Sequence, residues 1–281
     1  MSDDLTLREV LEVVERLYPP STAQSWDRVG LVTGDPGQAV RRIHLAVDPT
    51  LAVVEEARDL GAELLLTHHP LLLRGVHAVA TTTAKGATVT HLVVGDVALY
   101  VAHTNADVAR EGVSEALADA AGLTTTTPLA VEEDQPVGRV GDLPEAVSLR
   151  AFVEALADRL PRAAGGLRVS GPPDGLVRRV AVLGGAGDDL LDAVRTSGAD
   201  VYVTADLRHH PVLEAREEAR GGTPYLVDAG HWASEQVWLA RAERALLEGL
   251  GDRAARVETH ISTVRTDPWT FVVGADPGGA P

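Results

Sequence analysis

The chain has 281 residues, 25 of them basic and 41 acidic, for a formal net charge of −16. That balance argues against non-specific binding to nucleic acid or anionic lipid, which needs clustered positive charge, yet it leaves room for an anionic substrate held at a metal. Cysteine is absent, so no disulfide can form and any metal site must be built from nitrogen and oxygen donors.

The N-terminus, Met1-Ser2-Asp3-Asp4, has neither a basic nor an apolar leader region. No apolar run approaches the ~20 residues of a membrane span. The expectation is a soluble, cytoplasmic protein.

Leu5, Leu7, Val10, Leu11, Val13, Val14 and Leu17 recur at helical spacing, and Pro19-Pro20 ends the run. Trp26-Asp27-Arg28-Val29-Gly30-Leu31 follows; taken alone it reads as a turn around a buried Trp. Ile43 to Val47 is a predicted strand. Asp48-Pro49-Thr50 starts a helix through Val54, Ala57 and Leu60, Gly61 stops it, and Leu64 to Thr67 is the next strand. Such a β-α-β unit implies parallel strands with a right-handed crossover, and ligands of these sheets lie beyond the carboxyl ends of the strands. Thr67-His68-His69-Pro70 falls at that end. Neighbouring side chains of a strand diverge, so both imidazoles reach one site only if the backbone turns, as Pro70 favours. An isolated His-His pair would equally suit a surface loop.

A helix is predicted from Ala84 to Val94 and a strand from Ala98 to Ala102, again with ligand-type residues at its end: His103-Thr104-Asn105-Ala106-Asp107. Val113 to Ala121 is amphipathic and ends at Gly122. Thr124 to Pro128 reads as a connector and Glu132-Glu133-Asp134 as an exposed acidic stretch. A helix is expected from Val147 to Leu160, then a Gly/Pro-rich segment from Gly165 to Gly175.

The second half restarts the first. Val40-Arg41-Arg42-Ile43 is answered by Val177-Arg178-Arg179-Val180, and Gly61-Ala62-Glu63-Leu64 by Gly198-Ala199-Asp200-Val201, both at an offset of 137. Two matches in one register indicate a duplicated lobe. The expected fold is therefore α/β with two related lobes, 1–126 and 127–273, followed by a disordered tail, 274–281. A later strand, Pro224 to Val227, leads into Asp228-Ala229-Gly230-His231-Trp232-Ala233-Ser234-Glu235.

Three strand ends thus carry ligand-type residues: His68-His69, His103 with Asp107, and His231 with Glu235. If Gly230 precedes a helix, His231 and Glu235 stand one turn apart on one face; His103 and Asp107 share that spacing. Imidazoles and carboxylates in this number suit a pair of divalent ions, of which zinc, manganese or iron fits a His-rich, thiolate-free set better than magnesium alone. By spacing alone His103 could be a ligand.

Trp26-Asp27-x-Val29-Gly30-Leu31, Thr67-His68-His69-Pro70-Leu71, His103-Thr104-Asn105-x-Asp107 and Gly230-His231-x-x-Ser234-Glu235, in that order, resemble the NIF-three-like family, whose bacterial members are named GTP cyclohydrolase 1 type 2 homologues. Asp267-Pro268-Trp269-Thr270-Phe271 looks like the family's closing strand. The resemblance implies two α/β lobes with a dinuclear metal site between them and a ring-shaped homohexamer. It also implies His68, His69, Asp107, His231 and Glu235 as the metal ligands, with His103 a neighbour of the site. Arg28 departs from the family's usual asparagine, which puts substrate contacts of that loop in doubt, and the inserted domain of longer members is not expected here.

Two classes of function compete. A metal-dependent hydrolase would use water activated by the metal: with GTP, attack at C8 of the purine opens the imidazole ring and releases formate, while a phosphoesterase would use the same metals on phosphorus. His103 or the His209-His210 pair, His210 in particular, are the candidate proton carriers. The alternative is a metal-binding or regulatory interaction protein without turnover.

Overall fold

The structure, a computed structural model, describes residues 4–274. Its chain divides into two compact units. One holds the residues up to Ala116 with Val131–Val137 and Gln236–Thr266; the other holds Leu117–Ala130, Gly138–Glu235 and the residues from Asp267 on.

The first unit is built on a five-stranded sheet in the order Glu258–Ile261, Arg42–Ala46, Leu64–Thr67, Ala98–Val101, Gly30–Thr33. The first four strands run parallel and the last is antiparallel. Leu64, Leu65, Leu66 and Thr67 are all buried, the unbroken pattern of a central parallel strand covered on both faces. Helix Leu51–Asp59 begins where the Thr50 side chain accepts a hydrogen bond from the Val53 N–H, and Gly61 leaves it at a φ of +69°. It packs Val53 and Val54 against Leu65, Leu92, Leu99 and Val101. Helix Leu7–Leu17 starts with a capping box between Thr6 and Glu9 and buries Leu7, Val10, Leu11, Val13 and Val14.

The second unit carries a six-stranded sheet: Thr126–Glu132, Gln135–Ser148, Leu176–Ala186, Val201–Ala205, Tyr225–Asp228, Arg168–Ser170. Leu176–Ala186, Val201–Ala205 and Tyr225–Asp228 are parallel; Arg168–Ser170 flanks them antiparallel. Shifting Arg42–Ala46 and Leu64–Thr67 by 137 residues lands inside Leu176–Ala186 and Val201–Ala205, and in both units the last parallel strand is bordered by a short antiparallel one. The two α/β lobes are related in fold.

Three local expectations change. The expected connector from Thr124 to Pro128 and the acidic stretch after it form the strands Thr126–Glu132 and Gln135–Ser148, joined at Glu133 and Asp134, both at positive φ (46° and 62°). That two-residue turn lacks the glycine by which such turns are usually recognised. The Gly/Pro-rich segment contributes the edge strand Arg168–Ser170. Residues 267–271 form no strand; the parallel strand at that end of the first sheet is Glu258–Ile261. The tail read as disordered lies, from residue 275 on, outside the described residues. Among those described, no helix is long and apolar enough to cross a membrane.

Candidate metal centre

In the first unit the ladder of strand Leu64–Thr67 continues one step past its end, with the His68 and His69 N–H groups donating to the carbonyls of Ala46 (3.2 Å) and Val47 (2.8 Å). The Thr67 hydroxyl closes the turn on the His69 carbonyl at 3.1 Å. Both rings then lie 4.9 Å apart, and the ring of His103 joins them at 5.1 Å from His68 and 5.5 Å from His69. These three imidazoles offer nitrogens close enough together to hold one metal ion.

The hydrogen bonds decide which nitrogens are available. His68 Nδ1 meets the Ala102 carbonyl at 3.0 Å, His69 Nδ1 meets Asp48 Oδ1 at 2.7 Å, and His103 Nδ1 meets Asp27 Oδ1 at 3.0 Å. Each acceptor is an oxygen, so each Nδ1 is placed to donate and Nε2 is the nitrogen left to meet a metal, the arrangement that metal-bound histidines characteristically show. His103 sits at the head of helix Thr104–Val108, which places Asp107 one turn on. Asp107 Oδ1 lies 3.6 Å from His68 Nε2. That is too long for a hydrogen bond but suits two donors each about 2.0–2.2 Å from one ion.

Asp27 is buried and accepts hydrogen bonds from His103, from the Thr104 N–H (3.0 Å) and from the Thr104 hydroxyl (2.6 Å). Burial alone would raise its pKa; the bonds from His103 and Thr104 overcome that and hold the carboxyl well below the ordinary range. It stays ionised and fixes the His103 ring. Its neighbour Trp26, expected to be buried, is instead 51% exposed.

In the second unit Gly230, at a φ of +77°, turns the chain from strand Tyr225–Asp228 into helix His231–Leu250. His231 Nε2 and Glu235 Oε1, one helical turn apart, approach to 3.1 Å. His231 Nδ1 is again held by a carboxylate, Asp206 Oδ2 at 2.7 Å. The Gly185 N–H donates to Ser234 Oγ at 3.0 Å, and Ser234 Oγ donates to the His231 carbonyl at 2.8 Å. At Gly185 a Cβ would lie 2.5 Å from Glu235 Oε1 and 3.3 Å from His231 Nε2, so the space against these two donors exists because residue 185 has no side chain.

Within the first unit, then, His68, His69, His103 and Asp107 come together, and within the second His231 and Glu235 do. His210 stands exposed on the first turn of helix His209–Glu218, 5.1 Å from the His209 ring. Sequence reasoning missed Asp27, Asp48 and Asp206, which fix the imidazoles. His44 and His260 have no partner at ligand spacing in the sequence. They are cross-strand neighbours with Nδ1 atoms 3.1 Å apart, and His44 Nε2 meets Glu56 Oε2 at 2.9 Å. This trio could also hold an ion by distance. Here the two Nδ1 atoms are hydrogen-bonded to each other and Glu56 also accepts from Ser262 and Thr263, so in this structure the cluster is a hydrogen-bonded brace.

The family model Duf34/NIF3 (NGG1p interacting factor 3) matches residues 5–268. A Streptomyces coelicolor relative named GTP cyclohydrolase 1 type 2 homolog is 47% identical, with 96% of each chain covered. A Mycobacterium tuberculosis relative of the same name is 36% identical over 374 aligned positions, covering 94% of this chain and 97% of its own length. That alignment is longer than this chain, so the relative carries inserted residues. Among solved structures, a Bacillus cereus protein related to NIF3 superposes with a TM-score of 0.86 at 26% identity, covering 96% of this chain and all of its own.

Proposed function

The chain belongs to the Duf34/NIF3 family, and from that premise we propose that it is a metal-dependent hydrolase of a small nucleotide-like substrate, of the GTP cyclohydrolase type. Two divalent ions per chain, zinc, manganese or iron, are the proposed cofactors, with His68, His69, Asp107, His231 and Glu235 as ligands. The observation that carries this reading is the shared anchoring of the imidazoles: His68, His69 and His231 each have Nδ1 on an oxygen acceptor, and the Nε2 atoms of His68 and His231 lie 3.6 and 3.1 Å from the carboxylates of Asp107 and Glu235.

When bound, such ions supply Lewis acidity and lower the pKa of coordinated water. The chain's own residues supply the rest. Asp48, Asp206 and the Ala102 carbonyl keep the three ligand rings in one tautomer and orientation. His103 is not among the proposed ligands; with Nδ1 on Asp27 it presents a basic Nε2 beside His68 and His69, where it can take a proton from water and return it to a leaving nitrogen or oxygen. Hydrolysis at C8 of a purine is the proposed reaction, in which one water opens the imidazole ring to a formamide and a second water cleaves that formamide and releases formate.

The test is to reload full-length protein separately with zinc, manganese and iron, measure metal by mass spectrometry, and follow formate release from GTP with and without chelator. About two ions per chain and chelator-sensitive formate release are expected. Stoichiometric metal with no turnover of GTP or of a metabolite extract would leave a metal-binding protein and remove the hydrolase reading. Assembly into a homohexamer is part of the same proposal.

A further inference from the structure

Tryptophan is the side chain with most to lose from exposure to water, yet Trp26 is 51% exposed and stands against the metal cluster. Its indole meets the His103 ring edge-on, with centroids 5.9 Å apart, and His103 in turn lies 5.1 Å from His68. The loop that carries it is fastened on both sides. Before the indole, the Gln24 N–H donates to Thr104 Oγ1 (3.0 Å), and the Ser25 N–H and hydroxyl both donate to the Glu133 carboxylate (2.8 Å each). After it, Asp27 is locked to His103 and Thr104. The exposed guanidinium of Arg28 folds back, with Nη1 donating to the Asp27 carbonyl at 2.5 Å.

A mobile loop could expose an indole by accident. This one holds it in place with one side against a histidine of the cluster and the rest open, next to a cation. We propose that Trp26 is a stacking platform for the planar heteroaromatic ring of the substrate, with Arg28 beside it to meet the anionic group attached to that ring. The inference rests on the reading of the cluster as a metal-dependent active site. Stacking reads a π face rather than a pattern of hydrogen bonds, so it selects a nucleotide over a sugar phosphate. Arg28 suits the charged part of such a ligand because a guanidinium pairs with phosphate directly.

The experiment measures binding apart from turnover. Zinc-loaded full-length protein is titrated calorimetrically with guanosine 5′-monophosphate and with ribose 5-phosphate, in the wild type and in Trp26→Ala, Trp26→Phe and Arg28→Ala. Wild type is expected to prefer the nucleotide by about 5- to 150-fold, the range that one base–aromatic stack contributes. Trp26→Ala should abolish that preference with its metal content intact, and Trp26→Phe should keep most of it. Arg28→Ala should weaken both ligands by a similar factor. Equal binding of the two probes by wild type, binding of neither, or a preference that survives Trp26→Ala overturns the inference. If Trp26→Ala fails to fold, a Trp26→Phe variant that loses the preference counts against it in the same way. A Trp26-dependent preference without any turnover would instead overturn the hydrolase reading and leave the platform standing.

Discussion

Asp27 holds four donors with one buried carboxylate (His103 Nδ1, the Thr104 N–H and hydroxyl, and the Arg28 N–H at 2.6 Å), and its effect is read through His103. Asp27→Asn keeps the size of the side chain but loses the charge and can present an N–H where the ring needs an acceptor. Metal content should be unchanged while kcat falls about 10²-fold or more, the scale of a lost general acid–base group; an equal loss of metal would place Asp27 among the groups that hold the ions. Asp107→Ala and Glu235→Ala should strip more metal than His103→Ala, measured after dialysis against a weak chelator, and the reverse order would exchange the roles assigned here. Gly185→Ala puts a Cβ where Glu235 Oε1 stands, at a backbone φ of +72°. It should cost about 1–2 kcal/mol of stability from the left-handed conformation alone and weaken metal binding as well. The candidate ligands were legible because they sit in short motifs at strand ends. The carboxylates that orient them were not: Asp27 reaches His103 across 76 residues, and Asp206 reaches His231 across 25. No local spacing encodes such a contact.

At the scale of elements, the helices and parallel strands followed from apolar periodicity and caps, and helix Ala84–Val94 and strand Leu64–Thr67 match their expected bounds. The hairpin around Glu133 did not show because its turn has no glycine and Pro136, Gly138, Gly141 and Pro144 interrupt the pattern of its second strand. The strand Glu258–Ile261 is too short and half-exposed for alternation to register. That last strand depends on polar contacts. The Glu56 carboxylate accepts from Ser262 Oγ (2.5 Å) and Thr263 Oγ1 (2.8 Å) just past its end, and His260 pairs with His44 within it. Burial pushes the His44 pKa down. At Glu56 burial acts upward, but the bonds from Ser262 and Thr263 outweigh it and the carboxyl titrates below its ordinary value. Both folded-state values are depressed, so the unfolded chain takes up these protons first. The stability they contribute is full above the ordinary histidine value of 6.5 and is lost as pH falls through the lowered folded values. Amide exchange, corrected for its intrinsic pH dependence, should show Glu258–Ile261 losing protection between about pH 6.5 and pH 4 before Leu64–Thr67 does. Simultaneous loss across the whole sheet would show that the brace contributes nothing particular to its edge.

At the scale of the whole molecule, charge and apolar surface pull in opposite directions. Each chain brings a formal charge of −16, and a ring of six repeats that charge six times. The proposed hexamer would therefore rest on apolar contact, and part of the surface that could supply it is visible. Trp269 is 69% and Phe271 76% exposed, with Val272 and Val273 beside them. An apolar run of this kind left in water marks a contact site more often than a monomer's finished surface. The repulsion is long-ranged in low salt and is cut off beyond about 8 Å at physiological ionic strength, whereas apolar contact weakens little over the same change. Light scattering should thus give a mass approaching six times the 29.6 kDa of one chain in moderate salt, and a smaller average mass in low salt. Replacing both aromatic residues, as Trp269→Ser with Phe271→Ser, should lower the mass in moderate salt while leaving metal content alone, because neither side chain belongs to the proposed ligand set. A clean monomer at both ionic strengths would remove the hexamer. A hexamer indifferent to the double substitution would keep the assembly and assign its interface elsewhere on the chain.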